Sequence, residues 1–173
     1  MDLLRIKAFA LDIDGVATDG SIQCTPDGDL LRTYDAKDGF AIRMAVMHGY
    51  PVAIITGGSS ETIRKRMVTS GVNPDDVYLH CRDKMDEFGR FCAKYGLRPE
   101  DVMYFGDDVP DLEVIVTAGC GVCPADAVEE VKAVADIVST KPGGKGCLRE
   151  VIENTLRAQG KWTFDPVVYK QKF

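Results

Sequence analysis

The sequence predicts an α/β protein: a doubly wound parallel sheet with a small β-hairpin flap and no separate cap domain. Three observations carry this. Short apolar runs alternate with helix-period segments along the chain, the pattern of a parallel sheet covered on both faces. The runs end in Gly or in clusters of polar residues, as buried strands do. The stretch 15–51 holds only a hairpin and one helix, and 57–83 holds little more, too little for a second, covering domain. With 173 residues, the chain suits one full core.

The first strand is the charge-free run Ala8–Leu11, which leads into Asp12-Ile13-Asp14-Gly15. Two β-like runs, Ser21 to Thr25 and Leu30 to Tyr34, flank the turn Pro26-Asp27-Gly28-Asp29 and predict a hairpin over the tip of strand one. A helix is expected from about Phe40 to His48, with Asp38 at its N-cap and Gly49 beyond its end. Pro51–Thr56 reads as the second strand. Gly57-Gly58-Ser59-Ser60 then opens a helix with Ile63, Met67 and Val68 on one face. Val77–Leu79 is a short third strand. Asp83–Tyr95 is helical, with Met85, Phe88, Phe91, Cys92 and Tyr95 as a core stripe. Val102–Phe105 is a fourth strand, tipped by Gly106-Asp107-Asp108-Val109-Pro110-Asp111. Helix 111–117, strand 119–122, helix 126–133, strand 136–139, a loop at 141–146 and an amphipathic helix at 148–157 complete a domain over 1–159. The tail, 160–173, shows no clear period and is expected to move or to dock on a neighbour.

Composition excludes several function classes. A net charge of −6 argues against general nucleic-acid or anionic-membrane binding. No apolar stretch approaches the roughly 20 residues of a membrane span, and Met1-Asp2-Leu3-Leu4-Arg5 lacks a signal-peptide layout. The expected location is the cytoplasm. The six cysteines are scattered; Cys120-Gly121-Val122-Cys123 is a lone pair without histidines at zinc spacing and reads as structural thiols.

Polar groups collect at strand tips: Asp12 and Asp14, Thr56 with Gly57 and Gly58, Lys84 at a helix start, then Asp107, Asp108 and Asp111. In a doubly wound sheet such tips converge on one edge, where ligands bind. Two acids at the end of a buried strand repel each other and lose hydration, so a cation or a chemical role is expected. The plain alternative is that Asp12 and Asp14 cap a turn. The full set suits phosphoryl transfer. Asp12 and Asp107 can hold Mg²⁺. Thr56, the Gly57 and Gly58 amides and the next helix N-terminus can hold an anion, and Lys84 adds a point charge. One carboxylate is then free to attack phosphorus while its neighbour handles protons. Lys145 between glycines lacks P-loop spacing, and the Asp12-to-Gly15 segment lacks the later ligands of an EF-hand.

In this order the motifs resemble those of the haloacid dehalogenase phosphatase superfamily, across nearly the whole chain. Asp12-Ile13-Asp14-Gly15-Val16 matches the first motif, Thr56 the second, Lys84 the third, and Gly106-Asp107-Asp108 with Asp111 the fourth. The resemblance implies a Rossmann-like fold, Mg²⁺ dependence and a covalent aspartyl-phosphate. Asp12 would be the nucleophile. Asp14 would be the acid and base, giving its backbone carbonyl to the metal. Asp107 would be a further metal ligand. Asp108 and Asp111 would stand behind those ligands, with Asp108 near the metal or orienting Lys84.

Segments 14–20, 34–39, 54–57 with Arg66, and 143–146 with Arg149-Glu150 look like the 3-deoxy-D-manno-octulosonate 8-phosphate phosphatases. That implies hydrolysis of an eight-carbon sugar-acid phosphate in the lipopolysaccharide precursor pathway. By the same resemblance Asp35-Ala36-Lys37-Asp38-Gly39, Arg43, Arg66 and Lys84 match substrate-contacting positions, beside Asp14, Thr56, Gly57 and Gly58. Gly58 departs from the Arg that many members carry, which keeps the nine-carbon 2-keto-3-deoxy-nonulosonate 9-phosphate phosphatases as an alternative. A bare site would leave the reacting group wet. A homo-oligomer is therefore expected, a tetramer by resemblance, with Arg66 and the tail as candidates for cross-subunit contacts. A receiver-type phospho-acceptor domain would carry its paired acids on strand one and its acceptor on strand three; here the arrangement is different. A silent module that only assembles is a third reading, opposed by the intact acids and lysine.

Overall fold

The computed structural model describes residues 2–173. Its centre is a six-stranded sheet of order β5-β4-β1-β6-β7-β8, formed by β1 (Ala8–Leu11), β4 (Val52–Ile55), β5 (Val77–Tyr78), β6 (Val102–Phe105), β7 (Cys120–Cys123) and β8 (Ile137–Val138). Every pairing in it is parallel. β2 (Gln23–Cys24) and β3 (Leu30–Leu31) form a separate antiparallel hairpin.

The strand periodicity of two sorts the core into two layers. Phe9, Leu11, Val52, Ile54, Met103 and Phe105 face one side, with α1 (Ala36–Met47), α2 (Glu61–Thr69) and α6 (Cys147–Ala158) packed against them. Ala8, Ala10, Ala53, Ile55, Val102 and Tyr104 face the other, under α3 (Lys84–Tyr95), α4 (Leu112–Thr117) and α5 (Glu129–Lys132). β1, β4 and β6 are buried on both faces, which is why they read as unbroken apolar runs.

Three expectations change. α1 starts at Ala36, because Asp35 rather than Asp38 is its cap: the Asp35 carboxylate accepts from the N–H of Lys37 (2.7 Å) and Asp38 (3.1 Å). Asp38 is buried one turn on and instead accepts from the amides of Gly146 (3.1 Å) and Arg149 (2.7 Å), capping the start of α6. Val68 lies on the exposed side of α2, while Ile63 and Met67 are buried.

The tail differs as well. It carries a helix, α7 (Pro166–Lys172), started by Asp165 at the N-cap and Pro at the first helical position, a pairing that suits the orphan amides of a helix N-terminus. α7 lies on α1 of its own chain. Phe40 meets Trp162, Phe164 and Tyr169, and Arg43 stacks over Tyr169 and Phe173. No helix among the described residues is long and apolar enough to cross a membrane.

Candidate active site

β1 lies between β4 and β6, so the point where strand order reverses falls at its carboxyl end, the position where open α/β sheets bind ligands. A cleft of about 390 Å³ opens there. Its walls include Asp12, Asp14, Thr56, Gly57, Gly58, Lys84, Asp107, Asp108 and Asp111. The strand-tip residues singled out in the sequence therefore do meet.

Asp12 follows the last residue of β1, and its amide donates to the Phe105 carbonyl on β6 (3.0 Å). The residue is 7% exposed. One carboxylate oxygen lies 3.2 Å from Lys84 Nζ; the other, Oδ1, is buried without a hydrogen-bond partner. Asp107 Oδ1 is buried and unpartnered in the same way. Carboxylate oxygens of Asp12, Asp107 and Asp111 lie within 4.8 Å of one another.

These positions shift proton affinities. Burial, with Asp111 adding to it and Lys84 opposing it, pushes the Asp12 carboxyl from its usual 3.8 up to about 6. Burial and then the charges of Asp12 and Asp111 push Asp107 up to about 7. Burial works against the charge on Lys84, but Asp12 and Asp111 outweigh it and hold the ammonium above its ordinary value. Such acids stay charged in a desolvated cluster only when a cation shares it.

Asp111 organises the cluster. Its carboxylate accepts from Lys84 Nζ (2.6 Å), the Tyr104 hydroxyl (2.5 Å), and the Asp107 and Asp108 amides (3.2 and 3.4 Å). With its lone pairs so occupied it positions the lysine and the loop, leaving the unpartnered oxygens of Asp12 and Asp107 as the vacant donors. Asp108 turns away to cap the next turn, accepting from the Val109 amide (2.7 Å). The acid that orients Lys84 is thus Asp111.

Gly15 permits the close approach of the two strand tips. Its φ is +93°, and a Cβ there would stand 2.0 Å from Asp107 Oδ2. Any side chain would displace the acid, and the left-handed backbone suits glycine in any case. On the β4 side, the Gly58 amide donates to Thr56 Oγ1 (3.1 Å). α2 begins only at Glu61 and is capped by its own Ser60, so its N-terminus stands back from the cleft wall that Thr56, Gly57 and Gly58 form.

Arg32 was not evident in the sequence. It follows β3, and its guanidinium grips Asp14 in a fork, Nε to Oδ1 at 2.6 Å and Nη2 to Oδ2 at 2.9 Å. Its side chain is 3% exposed, and this pairing holds its charge above the ordinary arginine range. The hairpin spacing alone offered no signal for it; only an arginine on the strand folding back over strand one hinted at a partner.

The other predicted contacts lie elsewhere. Asp35, Ala36, Lys37, Asp38 and Gly39 form the start of α1 and do not line the cleft. Arg43 points to the tail, donating to the Thr69 carbonyl (2.7 Å) and the Tyr169 hydroxyl (2.8 Å). Arg66 on α2 lies over the Tyr34 ring and donates to Ser70 (2.8 Å), and its Nη2 fills the space beside Gly39.

A buried lysine, a hydroxyl and a converging acid cluster at the switch point define the class, a haloacid dehalogenase-like hydrolase, whose family profile matches residues 59–149. The Escherichia coli K12 3-deoxy-D-manno-octulosonate 8-phosphate phosphatase is 36% identical over 157 residues, which cover 91% of this chain and 82% of that one. The Moraxella catarrhalis enzyme of the same name, solved with magnesium, phosphate and KDO, is 33% identical, covers 92% of this chain and 91% of its own, and superposes with a TM-score of 0.88. The cobalt-bound Haemophilus influenzae phosphatase is 30% identical, with a TM-score of 0.89 over 98% of this chain and 96% of its own. The chain belongs to the 3-deoxy-D-manno-octulosonate 8-phosphate phosphatase family. It is a phosphoric monoester hydrolase with magnesium as its cofactor, and the vacant oxygens of Asp12 and Asp107 fit a hard divalent ion.

Proposed function

We propose that the protein hydrolyses 3-deoxy-D-manno-octulosonate 8-phosphate to the free sugar acid and inorganic phosphate. The observation that carries this is the 36% identity to phosphatases of that name over 91% of the chain, joined to a cleft in which Asp12, Asp14, Lys84 and Asp107 all meet.

Asp12 and Asp107, with the Asp14 backbone carbonyl, hold magnesium, which neutralises the cluster and polarises phosphoryl oxygens when bound. Asp12 attacks phosphorus through a carboxylate oxygen, and the bond from phosphorus to the sugar oxygen breaks. Lys84, fixed by Asp111, and the Thr56 hydroxyl hold the transferring group. Asp14, protonated from solvent once it has left the Arg32 fork, gives that proton to the departing sugar oxygen. It then takes one from the water that attacks the aspartyl-phosphate, which releases phosphate and restores Asp12. To do this Asp14 leaves the Arg32 fork and turns into the cleft it already borders. Asp108 caps the turn that carries Asp111.

Through Arg32 the hairpin reaches Asp14 at the cleft wall. A homotetramer would complete the cover. Ala36, Lys37, Arg66 and the exposed side of the tail, all outside their own cleft, would serve contacts between subunits and a neighbour's substrate. The enzyme would then act in the cytoplasm, in lipopolysaccharide precursor synthesis. Magnesium-dependent phosphate release from the eight-carbon substrate, measured beside 2-keto-3-deoxy-nonulosonate 9-phosphate, tests the reading. A higher kcat/KM for the eight-carbon substrate is expected, and a clear preference for nine carbons overturns it.

A further inference from the structure

The cleft walls contain two cations, Lys84 and Arg82. Lys84 is committed, held between Asp12 at 3.2 Å and Asp111 at 2.6 Å. Arg82 is exposed, and among the described residues its guanidinium makes neither an ion pair nor a hydrogen bond. It also borders a second cavity of about 380 Å³, which shares Arg82, Lys84 and Pro110 with the first. Arg82 therefore stands where the two spaces join.

The backbone beneath it is fixed. His80 is the one non-glycine residue with a left-handed backbone among those described, at φ +59°. That conformation is uncommon for a residue with a side chain. The His80 amide donates to the Gly58 carbonyl and the Cys81 amide to the Thr56 carbonyl, both at 3.0 Å. These bonds lash the loop to the opposite cleft wall and carry Arg82 beside it. Helix stability does not account for a cation there. Arg82 precedes Asp83, the N-cap of α3, and the positive end of a helix disfavours it. Asp83 makes no ion pair with it among the described residues; its Oδ1 accepts from the Met85 and Asp86 amides (2.9 and 3.4 Å).

We propose that Arg82 is a specificity-determining residue that binds the carboxylate at the end of the substrate remote from the phosphate. The inference rests on the function proposed above. A sugar-acid phosphate carries two anionic ends, and Lys84 with the metal ligands serves only one. A guanidinium matches a carboxylate with two parallel N–H donors. Asp83 and Glu113 both border the second cavity and repel an anion carried into it, which favours the junction for the carboxylate.

The test compares wild type, Arg82→Gln and Arg82→Lys on the octulosonate 8-phosphate and on p-nitrophenyl phosphate, which has no carboxylate. The expected result for Arg82→Gln is a fall of about tenfold or more in the ratio of kcat/KM for the carboxylate-bearing substrate to that for the carboxylate-free one. The loss should lie in KM, and Arg82→Lys should recover part of it. A ratio within about twofold of wild type overturns the inference, whether both activities fall together or neither does. Wild type that cleaves p-nitrophenyl phosphate but not the octulosonate phosphate refutes the proposed substrate instead. Arg82 is then judged by the same ratio for 6-phosphogluconate against glucose 6-phosphate.

Discussion

Replacing Asp12 by Asn should abolish turnover and, in metal-free protein, raise stability. The Asp12 carboxyl is shifted from 3.8 to about 6, chiefly by burial. That gap corresponds to on the order of 3 kcal/mol against the charged form in the fold. The folded protein thus binds this proton more tightly than the unfolded chain. The Asp12 contribution to stability falls as pH rises from about 4 to about 6 and stays low above that. Asparagine carries no such charge, and Lys84 keeps its 2.6 Å contact with Asp111. In EDTA at pH 8 the variant should therefore melt higher than wild type, by roughly 6–12 °C for a chain of this size. The gap should shrink toward zero near pH 4. Magnesium at pH 8 should raise the wild-type Tm and raise that of the variant much less. Scanning calorimetry across pH, with and without magnesium, reads all of this. A gap of equal size at pH 4.5 and pH 8, or a variant less stable than wild type at pH 8, refutes the reasoning.

Asp111→Ala strips Lys84 and the buried Tyr104 hydroxyl of their shared acceptor. It should cost about 3–5 kcal/mol in urea unfolding and lower kcat; a cost under about 1 kcal/mol contradicts the role given to Asp111. Asp38→Ala removes the cap that joins α1 to the start of α6 and should cost about 1–2 kcal/mol. An unchanged urea midpoint would show that cap to be idle. Gly15→Ala puts a methyl group where Asp107 Oδ2 now lies. It should weaken magnesium binding at least tenfold by calorimetric titration, and wild-type affinity would argue against the tight approach described. Arg32→Met removes the fork that Asp14 must leave before it exchanges protons, and kcat should rise more than KM changes. A fall in kcat would show that the fork positions Asp14 for the reaction instead of holding it back.

The sheet and the acid cluster were legible because each depends on local pattern. Ala8–Leu11 and Val102–Phe105 are charge-free runs whose ends fall at one edge by topology alone. What escaped depended on contacts between distant segments or on competing local signals. Asp35 and Asp38 are both plausible caps three residues apart, and the choice is made by α6, whose first amides claim Asp38. The fork between Arg32 and Asp14 exists only once the hairpin folds over β1. Asp108 and Asp111 are alike in sequence, and their roles are divided by the turn that points one carboxylate at Lys84 and the other at its own neighbouring amide. The tail did offer a signal, the Asp165-Pro166 pair that begins α7, but its aromatic packing on Phe40 could not be inferred from spacing.

Asp12 is stitched through its own amide to the neighbouring core strand, so the backbone that carries the attacking group is fixed. Whatever rearranges during a catalytic cycle must belong to its surroundings, above all the two-stranded hairpin. Reagent and selector, Asp12 and Arg82, sit on separable pieces of chain, and altered substrate preference can arise in the selector while the reagent stays fixed.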